Sequence, residues 1–155
     1  MAVEIEHKFL VKKETWKNAV ASESAILQGY LSTGSGLTVR VRLKGSRGFL
    51  TVKGPSRGTL RNEFEYEIPA EDARELLALE GVSGVISKTR YQVRIGSHVW
   101  DVDVFSGDNA GLVLAEVELS EEGEVFERPD WIGEEVTEDP RYFNSALAEK
   151  PYRSW

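Results

Sequence analysis

Like charges recur two residues apart along this chain, and that spacing restricts what it can fold into. Glu4, Glu6 and Lys8 alternate with Val3, Ile5 and Phe9. In a strand successive side chains point to opposite faces, so the ionic residues share one face and the apolar ones the other. The pattern returns at Arg40 and Arg42, at Glu63, Glu65 and Glu67, at Lys88 and Arg90, at Asp101 and Asp103, and at Glu116 and Glu118. Like charges on one face repel. A chain that repeats the arrangement on strand after strand is expected to hold something polyionic between them.

Strands are predicted over residues 3–11, 25–33, 37–44, 49–54, 59–68, 85–95, 98–105 and 112–119. Several are joined by turn sequences: Gly34-Ser35-Gly36, Gly45-Ser46-Arg47-Gly48, Gly96-Ser97 and Gly107-Asp108-Asn109, which suit hairpins. The expected result is a mainly β, α+β fold: an antiparallel, meandering sheet of about eight strands, near the size at which a sheet closes into a barrel. Helices are predicted over 13–21, 71–79 and 144–149, with a turn at 120–125 and a loop at 55–58. At 155 residues and 41% hydrophobic content the chain reads as one domain, 1–155. No stretch is apolar enough to span a membrane and no signal-peptide pattern is present, so a soluble, cytoplasmic protein is expected.

The phase of each strand decides where its charges point. Val39, Val41 and Leu43 oppose Arg40, Arg42 and Lys44, and Leu50 and Val52 oppose Thr51 and Lys53. Phe64, Tyr66 and Ile68 oppose Arg61, Glu63, Glu65 and Glu67. Val102 and Val104 oppose Asp101 and Asp103, while Val117 and Leu119 oppose Glu116 and Glu118. Two geometries fit. One is a sheet packed on one side and solvated on the other. The other is a barrel with a charged interior and helices covering an apolar exterior. The solvated sheet is the commoner outcome of such alternation, and segregation by sign weighs against it, because a solvated face gains from opposite charges across strands. Such an interior is tolerable only if acids, bases, water and ligand satisfy one another.

The ligand follows from the two sets of charges. Lys8, Arg40, Arg42, Lys53, Arg61, Lys88 and Arg90 suit phosphate oxygens. Glu4, Glu6, Glu63, Glu65, Asp101, Asp103, Glu116 and Glu118 would repel phosphate unless divalent cations intervened. Cysteine is absent and His7 and His98 are the only histidines, so any metal sits on oxygen, which favours magnesium, manganese or calcium. The net charge of −7 argues against a broad nucleic-acid surface. A metal-chelated polyphosphate explains both sets.

Glu4-Ile5-Glu6-His7-Lys8 resembles the ExExK signature of the CYTH superfamily, the triphosphate tunnel metalloenzymes, whose eight-stranded antiparallel barrel forms a closed tunnel. The resemblance extends through Gln28-Gly29-Tyr30-Leu31, Arg40-Val41-Arg42, Thr51-Val52-Lys53-Gly54, Arg61-Asn62-Glu63-Phe64-Glu65, Lys88-Thr89-Arg90-Tyr91, Asp103-Val104-Phe105, Ala115-Glu116-Val117-Glu118 and residues 131–137. It implies metal-dependent hydrolysis of a triphosphate at its terminal phosphorus, with Mg²⁺ or Mn²⁺ as cofactor. Within it Lys8, Arg40, Arg42, Lys53, Arg61, Lys88 and Arg90 match substrate-binding positions. Glu4, Glu6, Glu63, Glu65, Glu116 and Glu118 match acidic positions that bind metal or position water, with Asp103 a further candidate. Glu4, Glu6 and Lys8 of the signature are the expected catalytic residues. The implied partner is a small-molecule triphosphate, with neither nucleic acid nor membrane, for a monomer or homodimer.

Other residues read as structural. Trp16, Trp100, Trp131 and Trp155 are expected to pack rather than to stack on bases, and His98 simply starts a strand. Tyr30, in phase with Gln28, points its hydroxyl into the tunnel if the barrel forms. Three function classes compete: a triphosphatase acting on inorganic, thiamine or nucleoside triphosphates, a nucleotide cyclase of the same superfamily, and a non-catalytic polyphosphate binder. No segment announces a base pocket, and a binder would need only the bases, so inorganic triphosphate hydrolysis leads.

Overall fold

A computed structural model describes residues 3–32 and 36–155. Thr33, Gly34 and Ser35, where the second expected strand ends and its turn begins, lie outside the described residues. Nine strands form: β1 (Val3–Val11), β2 (Val20–Ser32), β3 (Thr38–Lys44), β4 (Arg47–Lys53), β5 (Leu60–Ile68), β6 (Ser83–Ile95), β7 (His98–Phe105), β8 (Val113–Glu118) and β9 (Ile132–Glu135). Two α-helices accompany them, α1 (Ala70–Leu77) and α2 (Asn144–Glu149).

The strands run antiparallel in the order β5-β4-β3-β2-β6-β7-β8-β1-β9, and a further pairing of β5 with β1 closes the first eight into a barrel. Closure is narrow. It joins Val3 to Asn62, Glu4 to Arg61 and Ile5 to Leu60. Farther along β1, where β5 has left, β9 takes over the same edge, pairing with Phe9 and Val11. β9 was not expected, because four residues carry too little alternation to register as a strand.

The expected helix over 13–21 shrinks to a 3-10 turn at Thr15–Ala19, and Val20 already begins β2. The reason is tertiary. β2 pairs with β6 from Val20 opposite Val93 to Tyr30 opposite Ser83, and that long ladder outweighs a modest helix propensity.

The outward face of β1, β6, β7 and β8 buries Ile5, Phe9, Val93, Trp100, Val102, Ala115 and Val117 together with Trp16 and Trp131. This covering is only partly helical: residues 119–131 cross it as a strap, with the Phe126 ring tilted against His7 and edge-on to Phe9, His98 and Trp100. α1 covers β3 and β4 on another side. The outward face of β5 is left open, with Phe64 and Tyr66 44% and 60% exposed.

The barrel interior is not charged along its whole length. At one end the inward positions turn apolar: Leu10, Tyr30, Ile86, Phe105 and Leu114 pack with Tyr142, Leu147 and Ala148 of the C-terminal segment. α2 is seated across this end and closes it. Gly84 permits the approach, since a Cβ there would lie 1.8 Å from the Ala148 carbonyl oxygen, and its φ of 24° is one that L side chains rarely adopt. No helix among the described residues is long and apolar enough to cross a membrane.

Candidate active site

The closed sheet brings the alternating charges together around one cavity of about 260 Å³. Its wall is divided lengthwise by sign. Adjacent strands β4, β3 and β6, with neutral β2 between the last two, contribute Lys53, Arg40, Arg42, Lys88 and Arg90. Adjacent strands β7, β8, β1 and β5 contribute Asp101, Glu116, Glu118, Glu4, Glu6, Glu63 and Glu65. Lys8 and Arg61 are the two basic exceptions on the acidic side. Strand alternation alone produces this: each strand presents every second residue inward, and the sequence keeps those residues of one sign.

On the basic half, the cations are held from behind. Asp103 accepts from Arg90 Nε and Nη2 at 2.8 and 2.9 Å, and its Oδ2 lies 2.7 Å from Lys88 Nζ. Arg42 Nε donates to Gln28 Oε1 at 2.8 Å. Arg40 Nη2 donates to Thr51 Oγ1 at 3.2 Å, and its Nε is buried without a partner. A buried guanidinium N–H left open is costly unless a ligand fills it. Burial, opposed by Asp103 and reinforced by Arg90 and Arg42, presses the Lys88 ammonium down to about 7. Arg42 is also lowered, by burial and then by Arg40 and Arg90, though a guanidinium keeps its proton at neutral pH. Crowded cations of this kind gain from an anion among them.

On the acidic half, carboxylates meet in pairs. Glu6 hydrogen-bonds Glu116, and burial together with the Glu116 charge raises Glu6 well above the ordinary carboxylate range. Burial would raise Glu116 too, but Lys8, the hydrogen bond from Glu6, and Arg90 and Lys88 hold it well below that range. The two carboxyls thereby tend to share a proton, with Glu6 the more protonated partner. The second pair is Glu4 and Glu63. Burial and the contact with Glu4 raise Glu63 to about 7, whereas Lys53 and the hydrogen bond from Glu63 overcome burial and lower Glu4. Lys53 Nζ reaches both Glu4 oxygens, at 3.1 and 3.0 Å, and Glu63 at 3.3 Å.

Paired, partly protonated carboxylates fit a divalent cation, which would replace the shared proton. Among the described residues no three such groups converge on one point. A cation held there would complete its oxygen shell with phosphate and water, the habit of Mg²⁺ rather than of an all-protein cage.

All the sequence-predicted residues line the cavity except Asp103. Its side chain is about 1% exposed and both oxygens are taken by Lys88 and Arg90. Asp103, expected as a further metal ligand, here stands as the counter-ion that holds two cations. Tyr30 does line the cavity, its hydroxyl 3.4 Å from Gln28 Nε2. Lys44, already in phase with Arg42 but not among the expected site residues, also lines the cavity, as does Phe49, which phase with Thr51 would have revealed. Sequence reasoning missed Thr137, Phe143, Asn144 and Ser145, which reach the cavity from the C-terminal segment. No alternation marks these.

The CYTH domain model matches residues 2–152. The chain is 46% identical over 155 residues to an inorganic triphosphatase of Acetivibrio thermocellus, covering 100% of this chain and 99% of that one. It is 40% identical over 150 residues to an inorganic triphosphatase of Nitrosomonas europaea, covering 94% and 96%. Among solved structures, it resembles the crystal structure of the inorganic triphosphatase NE1496 with a TM-score of 0.66 and 35% identity, covering 96% of this chain and 95% of that one.

Proposed function

The chain belongs to the CYTH domain family, and from that premise we propose that it hydrolyses inorganic triphosphate to pyrophosphate and phosphate in a metal-dependent reaction inside the barrel. The observation that carries this reading is the lengthwise division of the wall into a basic and an acidic half around one small cavity. Its volume of about 260 Å³ falls just below the range of ~300 to 1,000 Å³ usual for organic ligands. That suits a bare phosphate chain better than a whole nucleotide.

Arg40, Arg42, Lys53, Lys88 and Arg90 bind the phosphate oxygens from one side, and Lys8 and Arg61 complete the grip from the other. Phosphoryl transfer asks for little covalent chemistry, so holding the chain in line and stabilising charge on the terminal phosphoryl supply most of the catalysis. Glu4 with Glu63 and Glu6 with Glu116 are the groups we assign to hold Mg²⁺ or Mn²⁺, with Glu65 and Glu118 farther out. When bound, such a cation supplies Lewis-acid neutralisation of phosphate charge and a more acidic water. Water attacks the terminal phosphorus, the bridging P–O bond breaks, and pyrophosphate leaves. Lys8 faces the Glu116 carboxylate, and its Nζ donates to the Tyr142 carbonyl at 3.2 Å. These contacts hold its ammonium in the cavity wall and support our assignment of Lys8 as the catalytic lysine. Asp103 is a positioning residue.

The test is a substrate panel of tripolyphosphate, ATP and thiamine triphosphate, with phosphate and cyclic nucleotide measured side by side. Tripolyphosphate is expected to give by far the highest kcat/KM. Faster turnover of ATP, or release of cyclic AMP, would replace this reading with a nucleotide-directed one.

A further inference from the structure

Two neutral amides sit where the cations converge at the closed end. Gln28 is fully buried on β2, the strand that brings no charge to the basic wall. Its Oε1 accepts from Arg42 Nε at 2.8 Å, and its Nε2 donates to Asn144 Oδ1 at 3.0 Å. The same Asn144 oxygen accepts from Lys88 Nζ at 2.9 Å. Both amide orientations are dictated, because Arg and Lys can only donate. Arg42 must face the Gln28 oxygen, which turns its NH₂ toward Asn144, and Lys88 requires that Asn144 answer with oxygen.

On the reading that the cavity holds triphosphate, we propose that Gln28 and Asn144 are positioning residues: a neutral amide relay that ties Arg42 to Lys88 and aims both at the phosphate lodged against the closed end, adding no negative charge to that of Asp103, which already pairs with Lys88. The chemistry of the choice is specific. A carboxylate at either position would hold its cation more tightly and consume the charge that phosphate needs. An apolar residue would leave the Arg42 Nε–H without its partner and Lys88 held by Asp103 alone. Asn144 stands at the start of α2, so the C-terminal segment is part of the binding machinery as well as the closure of the barrel.

Asn144→Asp and Gln28→Glu keep shape and volume, and Asn144→Ser separates the relay from the repulsion that any added carboxylate exerts on triphosphate. If these residues only support the fold, Asn144→Ser leaves KM unchanged. The relay predicts the opposite: KM for tripolyphosphate rises about tenfold or more while kcat stays within about threefold, the signature of lost uniform binding. The melting temperature stays equal or rises. Should a carboxylate variant fail to fold, Asn144→Ser breaks the contact with Lys88 without adding charge and is read the same way. Calorimetric binding of pyrophosphate in Mg²⁺ reads the relay independently of turnover and should weaken about tenfold, the scale of one charge-assisted contact. Unchanged KM and unchanged pyrophosphate affinity in folded variants would overturn the relay. An inactive wild type that still binds pyrophosphate more tightly than its variants would overturn the triphosphatase reading alone.

Discussion

Lys88 and Asp103 face each other at 2.7 Å with both side chains about 1% exposed. Asp103 also takes both ends of the Arg90 fork. Removing one member of a buried pair strands the other's charge, which costs about 3 to 5 kcal/mol. Asp103→Asn is therefore expected to lower the melting temperature sharply and to weaken triphosphate binding together. A metal ligand would behave differently, with the loss of metal response exceeding any loss of stability. Thermal melts with and without Mg²⁺ distinguish the two.

Glu6→Gln should act in the other sense. Burial and the Glu116 charge raise Glu6 well above the ordinary carboxylate range, so an amide replaces it at little cost and relieves the repulsion between the two acids. Turnover is expected to fall by about a hundredfold or more, the scale for losing a group that holds a catalytic ion, while the melting temperature holds or rises, as at sites that trade stability for function. A melt several degrees lower would place Glu6 among the structural ion pairs.

The raised carboxylates give the ligand-free protein an inverted pH response. Burial and Glu4 lift Glu63 to about 7, and burial lifts Glu6 and Glu118 as well. For an acid raised in the fold, the folded state binds more protons, so its stabilising effect is full below the unfolded value and is lost as pH rises through the folded one. Stability should therefore decline from about pH 5 to about pH 7, and less so in Glu63→Gln. Asp103, Glu116 and Glu4, all lowered, act in the opposite sense but below this window. Mg²⁺ binds the deprotonated pairs, so its stabilising shift should be larger at pH 7.5 than at pH 5. Scanning fluorimetry across pH and Mg²⁺ checks both signs; a shift equal at the two pH values would dissociate the paired carboxylates from metal binding.

Gly84→Ala tests the closure of the barrel. The new Cβ meets the Ala148 carbonyl oxygen at 1.8 Å, and both partners are backbone, so α2 must move. Destabilisation by about 2 kcal/mol or more is expected, with KM raised because Asn144 moves with the helix. Normal KM would mean that α2 closes the barrel without serving the site.

The barrel was legible because alternation at period two survives in a single sequence: β1 and β7 begin and end where their residues predict. Charge sign added the site, since each inward face is nearly uniform in sign. What alternation cannot convey is where a strand's inward row changes from ionic to apolar because another segment fills the space. Leu10, Ile86 and Leu114 share the phase of Lys8, Lys88 and Glu116, yet they pack on Tyr142 and Leu147. For the same reason Asn144 carried no signal: its role depends on where α2 docks, a long-range contact. That Asp103 is covered by Lys88 and Arg90 was not legible either, because phase identifies the inward face but not which inward residue is covered by its neighbours.

Hydrolysis at the terminal phosphorus of a bare triphosphate is read out by ³¹P spectroscopy of tripolyphosphate turned over with Mg²⁺ in ¹⁸O-water. Equal amounts of pyrophosphate and phosphate are expected, with one solvent oxygen in the phosphate and none in the pyrophosphate. No turnover, or solvent oxygen in the pyrophosphate, would contradict this hydrolysis.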